Sequence, residues 1–229
     1  MLSARGGSDG MKTEAHDRYS LTLLISLLFF LVLGTFLEEN RISQVFMFLS
    51  MYATLVVAIL KLSQKRAMPW PALLLTVSSM LVTLVTIFRP VHTLRIANWL
   101  LLSAFLGYIS VALFSFLQHS SAIIRAKLLA SLSLYLILGM FYFAVFNLIQ
   151  EVHPGSFVEV GPTPIAASRD SLFYFSLATL TTLAYGDVIP VSRPARIIAV
   201  LEAATGVFYI AIMVARLVAA YQKADAERR

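Results

Sequence analysis

The stretch DSLFYFSLATLTTLAYGD, Asp170 to Asp187, decides how the rest of the chain is read. Its first part, DSLFYFSLATLTT, is apolar but only 13 residues long. At about 1.5 Å per residue, such a helix cannot cross a hydrocarbon layer about 30 Å thick. A Tyr-Gly-Asp turn follows, and full-length apolar runs lie on both sides. A short apolar helix, a polar turn containing glycine and two flanking spans read together as a re-entrant hairpin. Non-helical backbone at that depth is tolerated only where protein or a water-filled cavity surrounds it.

Working outward, 59% of the 229 residues are hydrophobic and 13% are charged. Soluble domains carry about 25% charge, so the composition is that of an all-α membrane protein. Spans are expected at 20–37, 42–62, 70–88, 96–117, 124–149 and 194–221, with the hairpin between the last two. The segment EVHPGSFVEVGPTPIAASR before the hairpin carries three prolines and two glycines and is expected to be loop. Residues 1–19 read as a disordered cytoplasmic arm, 20–118 as a four-helix transmembrane domain, 119–221 as the unit of two spans that carries the hairpin and 222–229 as a short cytoplasmic tail. The first apolar run is longer than a signal-peptide core and lacks a small-residue cleavage site, so it reads as a span.

The net charge of +6 sits in short basic clusters between apolar runs. Such clusters orient helices against lipid headgroups; no nucleic-acid partner is expected. With the N-terminus inside, Arg5, Lys12, Arg18, Lys61, Lys65, Arg66, Arg125, Lys127, Arg216, Lys223, Arg228 and Arg229 are cytoplasmic. Arg41, Arg89, Arg95, Arg169, Arg193 and Arg196 are then outside. Twelve against six predicts both termini on the cytoplasmic side of the cell membrane, with Arg89 and Arg95 running against the trend. The absence of cysteine excludes disulfides and thiolate metal sites.

The order Thr179-Leu-Thr181-Thr182-Leu183-Ala184-Tyr185-Gly186-Asp187 resembles the signature of the tetrameric potassium-channel superfamily, whose common form is TxTTVGYGD. Eight of the nine positions are the same residue or a conservative one. The resemblance extends over about residues 125–221, and the run LEAATGVFYIAIMVARLV is similar to the inner helix of small bacterial ion-channel proteins. It implies a homotetramer in which potassium ions, with no other cofactor, pass between stacked rings of backbone carbonyls. Carried over by position, the ligands are the Thr182 hydroxyl and carbonyl and the carbonyls of Leu183, Ala184 and Tyr185, with Gly186 completing the strand. Tyr185 is expected to pack away from the axis. Asp187 is expected to hydrogen-bond behind the strand, with Tyr174 as a candidate partner. Thr179 and Thr181 lie at the end of the short helix, whose dipole places about half a negative charge there.

Ala184 stands where that family has glycine. A left-handed backbone at this position turns successive carbonyls the same way, and an L-residue pays about 1–2 kcal/mol for it. Four copies cost about 4–8 kcal/mol, a large fraction of the ~5–15 kcal/mol typical of a domain. Either packing holds the strained shape and potassium preference survives, or the carbonyl at 183 or 184 turns and leaves a weakly selective or non-conducting, channel-like membrane scaffold.

Glu202, within the last span, is expected to bond pore-helix hydroxyls such as Thr179 or Thr182, because a buried acid in a membrane is costly without a partner. Gly206 reads either as a gating hinge or as a close-packing site. Arg216 snorkels to headgroups. The fourth span has no Arg or Lys between Arg95 and Arg125, which argues against a voltage sensor. His16, His92, His119 and His153 have no metal-ligand spacing, and no nucleophile constellation suggests an enzyme. Neither a repeated half nor a broken helix pair suggests a transporter. No soluble ligand-binding domain is expected.

Overall fold

The computed structural model describes residues 20–32, 52, 70–89, 91–119 and 124–226. Its helices are α1 (Ser20–Val32), α2 (Trp70–Phe88), α3 (His92–His119), α4 (Ile124–Val152), α5 (Arg169–Leu180) and α6 (Arg193–Ala226). Strands β1 (Phe157–Glu159), β2 (Ile165–Ala166) and β3 (Val188–Pro190) form an antiparallel sheet in the order β2-β1-β3. The expected arm at 1–19, residues 33–37 of the first span, the second span apart from Tyr52, and the tail beyond residue 226 lie outside the described residues.

Local chemistry sets the ends of these elements. α4 stops at Val152, where Pro154 has no amide proton and Gly155 takes φ +79°. α6 begins behind Ser192, whose hydroxyl accepts from the Ala195 amide at 3.4 Å, and Pro194 falls in the first turn, where its missing donor costs nothing. Among the described residues three helices have runs long and apolar enough to cross a membrane: His92–Ser115, Ala126–Val152 and Arg193–Ala219. The 34 residues of α6 extend about 50 Å, beyond the hydrocarbon thickness.

The segment expected to be irregular loop contains β1 and β2, a correction to the sequence reading. Prolines and glycines there form the turns of a sheet. Its alternating run Phe157-Val-Glu159 is too short to register as a strand without its partner β3, 29 residues later in the register Glu159↔Val188.

The chain divides into two compact units. In the first, comprising 1–88 and 108–136, the polar face of α2 points inward. Thr76, Ser79 and Thr83 are buried, whereas Leu74, Val77 and Leu81 are exposed. The Tyr52 hydroxyl lies 2.5 Å from Ser79 Oγ and 3.2 Å from Thr83 Oγ1. Small polar residues inside and branched apolar residues outside is the arrangement a lipid solvent selects.

The second unit comprises 89–107 and 137–229. Its core is aromatic: Phe146, Phe157 and Phe175 meet with centroids 5.0 to 5.4 Å apart. Phe143 touches both Trp99 and Phe173 edge-on, and the Arg169 guanidinium lies 5.4 Å from the Trp99 ring centroid. Arg95, which counts against the charge asymmetry, is ion-paired to Glu151 with Nε and Oε2 3.2 Å apart. Its charge is thus offset locally.

Phe157 is 0% exposed and joins β1 to α4 and α5. Phe157→Ala should cost about 3–5 kcal/mol, measured as denaturant-induced unfolding in detergent. A loss below about 1 kcal/mol would show that this cluster does not hold the sheet.

Candidate functional site

The site is built at the C-terminal end of α5. Ser168 is the N-cap, its hydroxyl accepting from the Ser171 amide at 3.1 Å, and Asp170 lies in the first turn, where a negative charge suits the helix dipole. At the other end, the last carbonyls of a helix lack intrahelical partners. Here they take the amides of the following residues. Thr181 N donates to Leu177 O at 3.1 Å, Thr182 N to Thr179 O at 3.0 Å, and Leu183 N to Ala178 O at 2.8 Å, with Ala184 N 3.4 Å from the same oxygen. Thr181 also turns its hydroxyl back to Leu177 O at 2.7 Å. Thr179 and Thr181 therefore serve the helix end, Thr179 through its carbonyl.

The amides of Thr182, Leu183 and Ala184 are committed backwards, and the carbonyls of Thr182, Leu183, Ala184 and Tyr185 accept no hydrogen bond among the described residues. Uniform extended backbone would point successive carbonyls to opposite sides. This segment instead alternates: Thr182 has φ +58°, Ala184 φ +41° and Gly186 φ +81°, whereas Leu183 and Tyr185 stay negative. Inverting every second residue brings successive carbonyls towards one side. Gly186 is required by this conformation and not by space, since a Cβ there would meet nothing within 4 Å. Ala184 adopts the strained left-handed form the sequence reading demanded of it. Thr182 does so too, which that reading missed. A β-branched residue at positive φ is an outlier, and only the backward hydrogen bond of its amide explains it.

Tyr185 stacks on Tyr174 of α5, centroids 6.4 Å apart and planes 9° from parallel. The Asp187 carboxyl lies beside the Tyr174 phenol. Asp187 accepts from the Val188 amide through Oδ1 at 3.1 Å, and its carbonyl accepts from Val160 N at 2.7 Å. The pair of tyrosines and the aspartate brace the strand from the side.

Glu202 is 0% exposed, but its partner is not Thr179 or Thr182. It meets Ser176 instead, Oγ to Oε1 2.5 Å, and the same hydroxyl lies 2.7 Å from Gly139 O on α4. The correction follows from helix geometry: Ser176 faces α6 and α4, whereas Thr182 has left the helix. Ser176 has one proton and two oxygens within reach, so both of its contacts are hydrogen bonds when a protonated Glu202 donates to Ser176 and Ser176 donates to Gly139. Glu202 Oε2 has no hydrogen-bond partner among the described residues.

One turn along both helices, Gly206 meets the end of α5. A Cβ at Gly206 would overlap the carbonyl oxygen of Leu180 and stand 3.0 Å from its carbon. Of the two readings of Gly206, close packing is the one the contact requires. Gly139 is similar, since a Cβ there would come within 2.9 Å of Leu177 Cδ2. Pairs 176–202 and 180–206 share i, i+4 spacing, so α5 seats on α6 along a ladder of two rungs. Tyr142 of α4 reaches α6 at Thr205, the hydroxyls 2.9 Å apart. Sequence reasoning passed over Ser176 and Gly139; a lone Ser in the short helix and a Gly inside an apolar helix were the available signals.

Residues 130–223, from within α4 to near the end of α6, match a family model described as ion channel. No curated protein and no solved structure gives a significant match.

Glu202→Gln keeps a donor towards Ser176 and should leave detergent stability within about 1 kcal/mol, whereas Glu202→Leu should cost about 1–3 kcal/mol by stranding Ser176. Gly206→Ala should displace the end of α5 and remove cation flux while Gly161→Ala, whose Cβ would meet its nearest neighbour only at 4.0 Å, does not. Equal unfolding curves for the two Glu202 variants, or normal flux in Gly206→Ala, would contradict these contacts.

Proposed function

We propose that this chain, a pore-loop cation-channel family member through its residues 130–223, forms a homotetrameric, potassium-preferring cation channel of the cell membrane. The observation that carries this reading is the set of carbonyls at Thr182, Leu183, Ala184 and Tyr185, oriented by alternating backbone handedness and left without hydrogen-bond donors. Four such strands around an axis would replace the hydration shell of a dehydrated potassium ion, the Thr182 hydroxyl adding the innermost ligand. Potassium is cargo here, and no cofactor is needed. The negative ends of four copies of α5 would favour a cation below the filter.

A single chain supplies one strand, so the ring requires copies. In one chain Leu183 is 54% and Tyr185 70% exposed, and α6 carries exposed Val200, Leu201, Val207, Phe208 and Ile210. An apolar surface of that extent is covered either by lipid or by neighbouring chains, and a closed four-fold ring gives every copy the same role. In this reading both termini are cytoplasmic, the sheet lies outside, and the helices before α4 form a scaffold without voltage-sensing charges.

The strain at Ala184 and Thr182 favours a second reading, a channel-like scaffold whose filter does not conduct. Potassium and sodium fluxes through purified protein in liposomes separate the two. The natural chain should pass potassium in preference to sodium. Gly186→Ala, which forces a Cβ into φ +81°, should abolish that preference or all flux. Ala184→Gly should relieve about 1–2 kcal/mol of strain per chain and sharpen selectivity. Unchanged selective flux in Gly186→Ala would sink the filter assignment, and flux from Ala184→Gly alone would favour the scaffold.

A further inference from the structure

Glu159 stands outside the filter and outside every motif discussed so far, yet it is bonded to both ends of the segment that carries the pore. Its backbone lies in β1 directly opposite Val188, the residue that follows Asp187. The next amide, Val160 N, donates to the Asp187 carbonyl at 2.7 Å. Its side chain reaches the other way. Oε1 accepts from the Ser168 amide at 3.2 Å and from Ser171 Oγ at 2.5 Å, at the N-terminus of α5. One residue thus brackets the whole run from the start of the pore helix to the exit of the filter.

The hydrogens in this cluster balance with Glu159 ionised. Ser171 Oγ donates to the carboxylate, Ser168 Oγ can donate to Ser171 Oγ at 2.7 Å, and Ser171 N donates to Ser168 Oγ. The strand that carries Glu159 is itself fixed. Gln150 of α4 holds Phe157 from both sides, accepting from its amide at 3.0 Å and placing Nε2 3.4 Å from its carbonyl. Val191 N closes the far end on Ser156 O at 2.8 Å.

We propose that Glu159 is a positioning residue for the filter: as a carboxylate it locks β1 to the start of α5, and through the β1–β3 pairing it sets the height and rigidity of the strand's exit at Asp187. The inference rests on the filter assignment made above. Without the lock, α5 and β3 are joined through the core around Phe157, Phe175 and Val188 and through the strained residues 181–187, and the Asp187–Tyr174–Tyr185 brace loses one of its fixed points.

The bonds from Ser171, then from Ser168, hold the Glu159 carboxyl below its usual pKa, while the nearby charge of Asp187 opposes them. Arg169 and Asp170 are the charged groups in the first turn of α5, the turn that the Glu159 carboxylate bonds. A carboxyl with a lowered pKa keeps its contribution above the ordinary glutamate range and loses it as the pH falls through the lowered value. The lock therefore holds at neutral pH and opens in acid, on the side of the membrane that carries the sheet.

The test uses the full-length protein in liposomes, comparing the natural chain with Glu159→Gln, Glu159→Asp and Ser171→Ala. Amide hydrogen exchange is followed at residues 183–188, alongside the potassium-to-sodium flux ratio. Glu159→Gln and Ser171→Ala should each raise exchange at 183–188 several-fold, with α4 and α6 unchanged, and the double variant should add little. Potassium preference should fall with the same variants, Glu159→Asp should restore part of it, and the loss of preference in acid should vanish in Glu159→Gln. Exchange and acid response identical to the natural chain in Glu159→Gln would overturn the proposal. Exchange is read whether or not ions flow. A natural chain that conducts nothing but loosens at 183–188 in Glu159→Gln would refute the conduction reading and still support the lock.

Discussion

The structure around the site depends on where the backbone amides of residues 181–184 go. Each is directed back to the C-terminal carbonyls of α5, which would otherwise lack partners. Among the described residues the carbonyls of Thr182 to Tyr185 accept no hydrogen bond, and Thr182 and Ala184 take left-handed turns. The energies are comparable. Two L-residues at positive φ cost about 2–4 kcal/mol, and four backbone hydrogen bonds return about 2–6 kcal/mol at 0.5–1.5 each. The strained strand is therefore held by the helix behind it, and the helix must itself be held.

That second requirement explains the packing of α5. It is gripped near its C-terminal end by Gly206 and Gly139, whose missing side chains let α6 and α4 approach, and at mid-length by the Ser176–Glu202 bond. Its N-terminal end is gripped by Glu159 from the sheet. The two glutamates are used in opposite ways. Glu159, near solvent, is bonded as an acceptor of two donors. Glu202, fully buried in a span, meets a hydroxyl that already has a carbonyl to serve, so its cluster closes with the acid as donor. A buried charge without a counter-charge is the costlier arrangement by several kcal/mol, and the local hydrogen count avoids it.

The aromatic residues divide into two groups with different tasks. Phe146, Phe157 and Phe175 fill the core between α4, α5 and the sheet and need only shape. Tyr174 and Tyr185 stack at an exposed face beside residues 182–186 and carry hydroxyls, so their orientation matters to the strand they flank. Residues 130–223, which match an ion-channel family model, thus take their rigidity from short-range devices.

Much of this was legible in the residues alone. Apolar runs of sufficient length specify helices in lipid because no other open structure satisfies its backbone there, and a helix too short to span followed by Tyr-Gly-Asp could only re-enter. The left-handed demand on Ala184 was likewise visible, since one residue at one position in a known backbone pattern carries it. Contacts between distant segments were not visible. The partner of Glu202 had several hydroxyls to choose from, and only the rotation of α5 against α6 selects Ser176. The Gly206 contact depends on how closely two helices approach, which no periodicity encodes. The sheet was hidden because strands of two or three residues have no period of their own and exist by pairing across the intervening helix. The sequence determined that His92–Ser115, Ala126–Val152 and Arg193–Ala219 lie in helices long and apolar enough to cross a membrane; tertiary structure alone decided what holds the strained strand, because hydrogen-bond partners far apart in the chain are chosen by geometry.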